Sequence, residues 1–424
     1  MNRTTWIQGG RILDPATGRD EIGDLFFDGG RIAKLPDAPP ANCEIVDASG
    51  QVITPGFWDI HVHLREPGND AAETVETGSR AAAHGGFTTI VAMPNTHPAL
   101  DTPELVNQII EKGRSAGYAR VLTTACITKD RAGKVLAPLA ELADAGAIAF
   151  TDDGSTVPSP ELMRRGMEEA RTLNRLIMDH AQDSVMERRG VMHQGLYSQK
   201  YGLPGIPSEA ETSIVKRDAE LAEETGAAIH IQHITAGGSI DILRDAQARG
   251  VRISAEISPH HLALTDADVD PTNANYKMNP PLRSTTDRDR LMEGLLEHVV
   301  DVFATDHAPH TAAAKQKGWL EGPFGVVGLE TAIGVTFTLL VKTGKMDVME
   351  WVRRWTMRPA SLLGMQPPAL SVGSRADVVM LDLEEQWTVD PNQFHSNSLN
   401  TPFTGWALTG RAAQTWLEGQ ATGD

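Results

Sequence analysis

Apolar and polar positions change their rhythm twice along the chain. Up to about residue 55 the apolar residues fall in short runs parted by tight turns. Residues 5–13 end at Asp14-Pro15, residues 24–27 end at Asp28-Gly29-Gly30, and Arg31-Ile32-Ala33 follows. No helical period appears there, so this part predicts a small β unit. From Pro55 to about residue 365, short β-rich runs alternate with amphipathic stretches. Residues 87–92, 120–127, 147–150, 176–179, 228–233, 252–257 and 300–305 read as strands, and 73–84, 160–173 and 208–225 as helices. With the strand leading into His61 these make about eight repeats, which favours a (β/α)8 barrel over an open doubly wound sheet. No GxGxxG fingerprint opens the first βα turn, against dinucleotide binding. Strands return at 376–381 and 413–416. The expected fold is α/β: a TIM-type (β/α)8 catalytic barrel over 56–365. Beside it, both chain ends (1–55 and 366–424) build a small β-sandwich domain.

Composition narrows the function classes. At 424 residues the chain has room for one barrel and a smaller domain, and 41% hydrophobic with 22% charged residues is ordinary for a globular protein. A formal charge of −18 argues against nucleic acid or an anionic membrane surface as partner, and leaves a small-molecule substrate. Cys43 and Cys126 lie far apart, so no disulfide framework is expected. The stretch Met1-Asn2-Arg3-Thr4-Thr5-Trp6 lacks a signal-peptide core and no apolar run reaches spanning length, so the expected location is the cytoplasm.

Candidate chemistry collects where strands end. In Asp59-Ile60-His61-Val62-His63-Leu64-Arg65, residues two apart on a strand share a face, so His61 and His63 project together and Arg65 follows them. Two neutral imidazoles on one rigid face suit a small cation, and a guanidinium beside them suits a carboxylate. Other runs end in Thr151-Asp152-Asp153-Gly154, Asp179-His180, His230-Ile231-Gln232-His233 and Thr305-Asp306-His307-Ala308-Pro309-His310. Singly, Asp-Asp-Gly is commonly a turn and a strand-closing His a satisfied rim residue. Together, His or Asp at five strand ends points to one site at the C-terminal face of a barrel. His230 and His233 face opposite ways on a strand, and the Thr235-Ala236-Gly237-Gly238 loop favours His233.

The stretch Pro55-Gly56-Phe57-Trp58-Asp59-Ile60-His61-Val62-His63-Leu64-Arg65-Glu66-Pro67-Gly68 resembles the metal-binding signature of the amidohydrolase superfamily. More narrowly, it resembles class I dihydroorotases. The likeness extends through Met93-Pro94-Asn95-Thr96, Phe150-Thr151-Asp152-Asp153-Gly154, Gly205-Ile206-Pro207-Ser208 and Ser258-Pro259-His260-His261-Leu262. It continues through Lys277-Met278-Asn279-Pro280-Pro281-Leu282-Arg283, Ala304-Thr305-Asp306-His307-Ala308-Pro309-His310, Pro323-Phe324-Gly325 and Asn400-Thr401-Pro402-Phe403.

The resemblance implies one or two zinc ions in a binuclear site. His61, His63 and Asp306 would hold one zinc, and His180 and His233 the second. Many relatives bridge the pair with a carboxylated lysine, but residues 147–153 contain no Lys. Class I dihydroorotases use an aspartate there, and Asp153 is expected in preference to Asp152. The implied reaction interconverts dihydroorotate and N-carbamoyl-aspartate through a zinc-activated water, with Asp306 as proton shuttle. Arg65, Asn95 and His310 are implied to grip the substrate carboxylate, with Asn279, Phe324 and Gly325 completing the substrate-binding set. Residues 311–325 read as a mobile loop able to close over the site. Gln182 stands where the family usually shows Glu, and Thr311-Ala312-Ala313-Ala314 is less acidic than usual. An allantoinase- or hydantoinase-type hydrolase and a non-catalytic partner of aspartate transcarbamoylase are the competing readings. The missing lysine disfavours the first, and the complete ligand set disfavours the second. The resemblance also allows a homodimer or an aspartate transcarbamoylase complex.

Overall fold

The computed structural model describes residues 4–422. Residues 1–3, part of the N-terminal stretch read for a leader, lie outside them, as do 423–424. The first strands are β1 (Thr5–Asp14), β2 (Arg19–Asp28), β3 (Arg31–Ala33), β4 (Glu44–Asp47) and β5 (Val52–Pro55). Next come β6 (Phe57–Val62), β7 (Phe87–Ala92), β8 (Arg120–Thr123), β9 (Ala149–Phe150) and β10 (Leu176–Asp179). A short parallel pair, β11 (Met192–His193) and β12 (Gly205–Ile206), forms an excursion. Strands β13 (Ile229–Ile231), β14 (Ile253–Ile257) and β15 (Val302–Phe303) follow, then β16 (Val378–Thr388), β17 (Ala407–Leu417) and β18 (Gln420–Thr422).

The expected barrel is borne out. Strands β6-β7-β8 pair in parallel, as do β9-β10-β13-β14-β15. Parallel bridges Ala125–Phe150 and Val62–His307 join the two sheets into a ring. All six residues of β6 are buried, as expected of a parallel strand covered on both faces. The helices outside have local reasons to start and stop. Thr74 caps Val75–His84 by accepting from the Thr77 N–H, and Pro103–Ala116 opens on its proline and closes at Gly117 with φ 73°. The run at 120–127 stops as a strand at Thr123, though Ala125 still bridges onward.

The two ends of the barrel differ sharply. Phe57 and Phe87, the first residues of β6 and β7, meet Trp355 at ring-centroid distances of 6.2 and 5.3 Å, and Phe303 meets it at 5.2 Å. This aromatic plug fills the N-terminal end, so the opposite rim is left for chemistry.

Both chain ends share one eight-stranded mixed sheet, ordered β18-β17-β16-β5-β1-β2-β3 with β4 beside β1. It has its own core, including Ile7, Ile12, Phe27, Ile53, Val378 and Trp416. Gly56 alone separates β5 from β6, so this sheet runs directly into the barrel. No described helix is long and apolar enough to cross a membrane.

Asp14 ties the chain ends together. Its buried carboxylate accepts from the backbone N–H of Ala16 at 3.0 Å and of Leu370 at 2.9 Å. Asp14→Ala would leave the buried Leu370 donor unpaired, at a cost of about 1–3 kcal/mol. Thermal unfolding should show a correspondingly lower midpoint; an unchanged midpoint would remove Asp14 from the joint.

Candidate metal centre

Eleven of the twelve residues expected at the site line one cavity of about 340 Å3 at the C-terminal rim. They are His63, Arg65, Asn95, Asp153, His180, His233, Asn279, Asp306, His310, Phe324 and Gly325. His61, the twelfth, lies fully buried against this group.

The route to the rim differs from the strand-face reading. Strand β6 ends at Val62, so His63 and Arg65 lie past it and Arg65 turns inward with φ 59°. His233 likewise lies past β13 with φ 30°, and Asp306 has φ 49°. Left-handed backbone is costly for such residues and tends to collect at functional positions. Local bonds hold it here: the His233 N–H reaches Glu256 Oε1 at 3.3 Å, and the Thr305 hydroxyl accepts from the His307 N–H at 3.0 Å.

Donor atoms converge on two points. His61 Nε2 lies 3.3 Å from Asp153 Oδ1 and 3.6 Å from Asp306 Oδ1, and His63 Nε2 lies 3.1 Å from Asp306 Oδ1. Nearby, His180 Nδ1 is 2.9 Å from His233 Nε2, and each is 3.7 Å from Asp153 Oδ1. Ligand bonds of 2.0–2.2 Å in a tetrahedron set donors about 3.4 Å apart, close to these spacings. His61 Nε2 and Asp153 Oδ1 are buried without any hydrogen-bond partner, as atoms aimed at a cation would be. The residues therefore fit divalent metal. Among the described residues, His61, His63 and Asp306 form one group able to hold an ion, and His61, Asp153 and His233 another.

The neighbouring carboxylate, Asp152, is otherwise engaged. It accepts from the N–H groups of Ile127 (2.9 Å) and Thr128 (3.0 Å) and from the Thr128 hydroxyl, anchoring the turn after β8. Burial opposes the charge on Asp153 and Asp306, but the surrounding imidazoles outweigh it and hold both carboxyls below the usual range.

Outer contacts orient the ring nitrogens. His63 Nδ1 meets Asn95 Oδ1 at 2.8 Å, and Asn95 Nδ2 donates to Asp153 Oδ2 at 3.2 Å. Asn279 Nδ2 meets His180 Nε2 at 3.3 Å, and Gln182 donates to Asn279 Oδ1 at 2.9 Å. His61 Nδ1 lies 2.5 Å from Glu256 Oε1, whose other oxygen is 3.2 Å from His230 Nε2. His230 thus sits behind the centre while His233 faces the cavity. Glu256 is buried, yet His61 and His230 overcome that penalty and lower its carboxyl to about 2. Sequence reasoning missed this carboxylate. A signal existed: Ser254 and Glu256 alternate with apolar residues in β14, so both face inward on His230.

Arg65 and His310 stand at the other side of the cavity. Arg65 Nε donates to the Pro309 carbonyl at 3.1 Å. His310 Nε2 lies 2.6 Å from the Phe324 carbonyl, which requires the proton on that nitrogen. Its 3.3 Å approach to Arg65 Nη2 is then not a hydrogen bond, leaving that guanidinium edge toward the cavity. Burial, with the charges of Arg65 and Lys315, pushes His310 down to about 2, so it is neutral at pH 7. Asn400 braces this rim, accepting from the His310 N–H at 3.0 Å and donating to the Ala308 and Gly325 carbonyls at 3.1 and 3.0 Å. Gly325 has φ 123°, and a Cβ there would come 2.6 Å from the Ala308 side chain, so glycine is required.

The segment read as a mobile loop is packed down. It contains helices Ala312–Lys315 and Gly318–Glu321, with Lys315 and Trp319 buried.

A model of the family described as dihydro-orotase-like matches residues 50–239. A dihydroorotase of Geobacillus sp. (strain WCH70) is 46% identical over 377 residues, covering 89% of this chain and 88% of the relative. The chain belongs to the dihydroorotase family. A second dihydroorotase, from Pelotomaculum thermopropionicum, is 43% identical over 98% of this chain and 97% of its own length. Among solved structures, an L-hydantoinase (dihydropyrimidinase) from Arthrobacter aurescens superposes with a TM-score of 0.85 at 24% identity, covering 100% of this chain and 97% of its own. That likeness carries the barrel and mixed-sheet fold, while the dihydroorotase relatives carry the family.

Two outcomes follow from this geometry. Asp153→Asn should strip much of the bound metal, whereas Asp152→Asn should loosen the 127–128 turn and leave metal content near normal; equal losses by elemental analysis would defeat the distinction. Glu256→Gln removes the charged partner of His61 and should weaken metal retention about 10–100-fold in chelator competition. Unaltered retention would make Glu256 a packing residue only.

Proposed function

We propose that this chain is a zinc-dependent dihydroorotase, interconverting N-carbamoyl-L-aspartate and L-dihydroorotate plus water in de novo pyrimidine (UMP) biosynthesis. The observation that carries the reading is one cavity with a buried His–Asp cluster on one side and the Arg65 guanidinium on the other. A cyclic amide bearing a carboxylate matches both halves. Residues 147–153 contain no lysine, which supports this reading over a hydantoinase or allantoinase. The full set of donor residues supports a catalytic chain over a non-catalytic partner.

His61, His63 and Asp306 would hold one zinc and His180 with His233 the other, Asp153 between them. Zinc so held supplies Lewis acidity toward the amide carbonyl and brings the pKa of water toward neutral. In the hydrolytic direction water adds to that carbonyl carbon and the ring C–N bond breaks. Asp306 accepts the proton released by the water and returns it to the departing nitrogen, and ring closure reverses these steps. Asn95 and Asn279 orient His63 and His180 from behind, and each keeps an edge on the cavity. Arg65 and Asn95 donate to the carboxylate that does not react, and neutral His310, its one ring N–H given to the Phe324 carbonyl, packs beside them, with Phe324 and Gly325 closing that side. Cys43 and Cys126 are both unpaired, which supports a reducing, cytoplasmic setting. Sizing of the purified chain, alone and with aspartate transcarbamoylase, tests the assemblies that the resemblance allows.

Turnover of dihydroorotate by the isolated chain, abolished by chelation and restored by zinc, is the direct test. The sharper one is Arg65→Met. Charge-assisted hydrogen bonds contribute about 1.5–3 kcal/mol each, so kcat/KM for dihydroorotate should fall on the order of a hundredfold or more. Zinc content should hold, and slow hydrolysis of an uncharged dihydropyrimidine should change little. Equal losses on both substrates would assign Arg65 to the fold instead.

A further inference from the structure

Outside the metal cluster, the buried amine of Lys315 has no carboxylate among its hydrogen-bond partners. Lys315 closes the short helix Ala312–Lys315 and is 6% exposed. Its ammonium donates to three backbone carbonyls: Ala274 at 3.0 Å, Lys277 at 3.1 Å and Pro323 at 3.1 Å. Three acceptors match the three donors of a protonated amine, so the arrangement satisfies the charged form by carbonyl dipoles alone. Two of these carbonyls belong to the 274–277 turn and the third immediately precedes Phe324.

Lys277 works alongside it. Its Nζ donates to the Gly322 carbonyl at 2.5 Å and sits 4.4 Å from the Phe324 ring centroid, while its own carbonyl accepts from the Gly325 N–H at 3.0 Å. The 311–325 segment is therefore stapled to the 274–277 turn from both directions. What the staple fixes is the Phe324–Gly325 peptide, whose Phe324 carbonyl accepts the single ring N–H of neutral His310 and so fixes that ring in place.

We propose that Lys315 is a positioning residue: it fastens the 311–325 segment so that Phe324, Gly325 and His310 are preset for the substrate carboxylate. The kinetic part rests on the dihydroorotase reading; the structural part does not. Removing the amine and its three hydrogen bonds frees the segment to open, and binding must then restore its order. The loss falls on substrate affinity, because Lys315 lines neither the metal cluster nor the cavity that holds it.

Exposed Lys317 gives a tryptic site inside the segment. In the metal-loaded full-length protein, Lys315→Met should speed cleavage after Lys317 by about tenfold or more, read by mass spectrometry. KM for dihydroorotate should rise about tenfold, with kcat within about twofold and metal content unchanged. Lys315→Gln, a neutral donor, should fall between wild type and Lys315→Met on both readouts, and it serves alone if the methionine variant does not fold. Unchanged cleavage and KM would overturn the proposal. A fall in kcat together with metal loss would overturn it too, by placing Lys315 in support of the metal centre. Absence of dihydroorotate turnover in the unsubstituted protein would sink the dihydroorotase reading, and the cleavage comparison would still decide the staple.

Discussion

Two carboxylates buried side by side are the constraint on which the rest of the site depends. Asp153 and Asp306 both approach His63 Nε2, at 3.5 and 3.1 Å, and both are largely buried. Uncompensated, such charges would repel and take up protons. Four imidazoles are placed around them, and their charge and hydrogen bonds hold both carboxyls below the usual range. The same donor atoms stand at metal-like spacings, so the cluster is able to hold divalent cations as well. Glu256 extends the same logic outward, since its charge fixes which nitrogen of His61 carries the proton.

Much of this was legible in the sequence because barrels place chemistry by rule. Alternating runs gave the repeat number, and the residues ending those runs are the ones that converge into groups able to hold an ion. Resemblance to a family chose between neighbours that pattern alone left equal, as with Asp152 and Asp153. Other features were hidden because they depend on backbone conformation or distant pairing. The left-handed turns at Arg65 and His233 replace the simple strand face with a bend, which no periodicity announces. Glu256 looked like a lone charge in an apolar strand until His61, 195 residues away, was brought against it. The tie-down of residues 311–325 was equally invisible: the segment read as a mobile loop, while a single lysine finds three carbonyls only in the folded chain.

The rim is built from more than barrel loops. Asn400 arrives from the last part of the chain and bonds to Ala308, His310 and Gly325 together. Ser396 and Asn397 reach the buried Glu73, which also meets His307 at 3.2 Å. The C-terminal region is thus a structural component of the substrate side, and the barrel alone would present an unbraced rim.

The shared sheet also has a temporal meaning. Strand β5 pairs with β16, and Asp14 binds the backbone of Leu370 across 356 residues of sequence. During synthesis the first five strands emerge long before the partners that complete their sheet. They wait, with one edge of β5 unpaired, while the barrel closes beside them. Contacts of such separation form late because the loop entropy must be met before they contribute. Closing that edge is therefore expected among the last events of folding, and a ribosome-bound chain exposes it as a site where chaperones or a neighbouring nascent chain can pair.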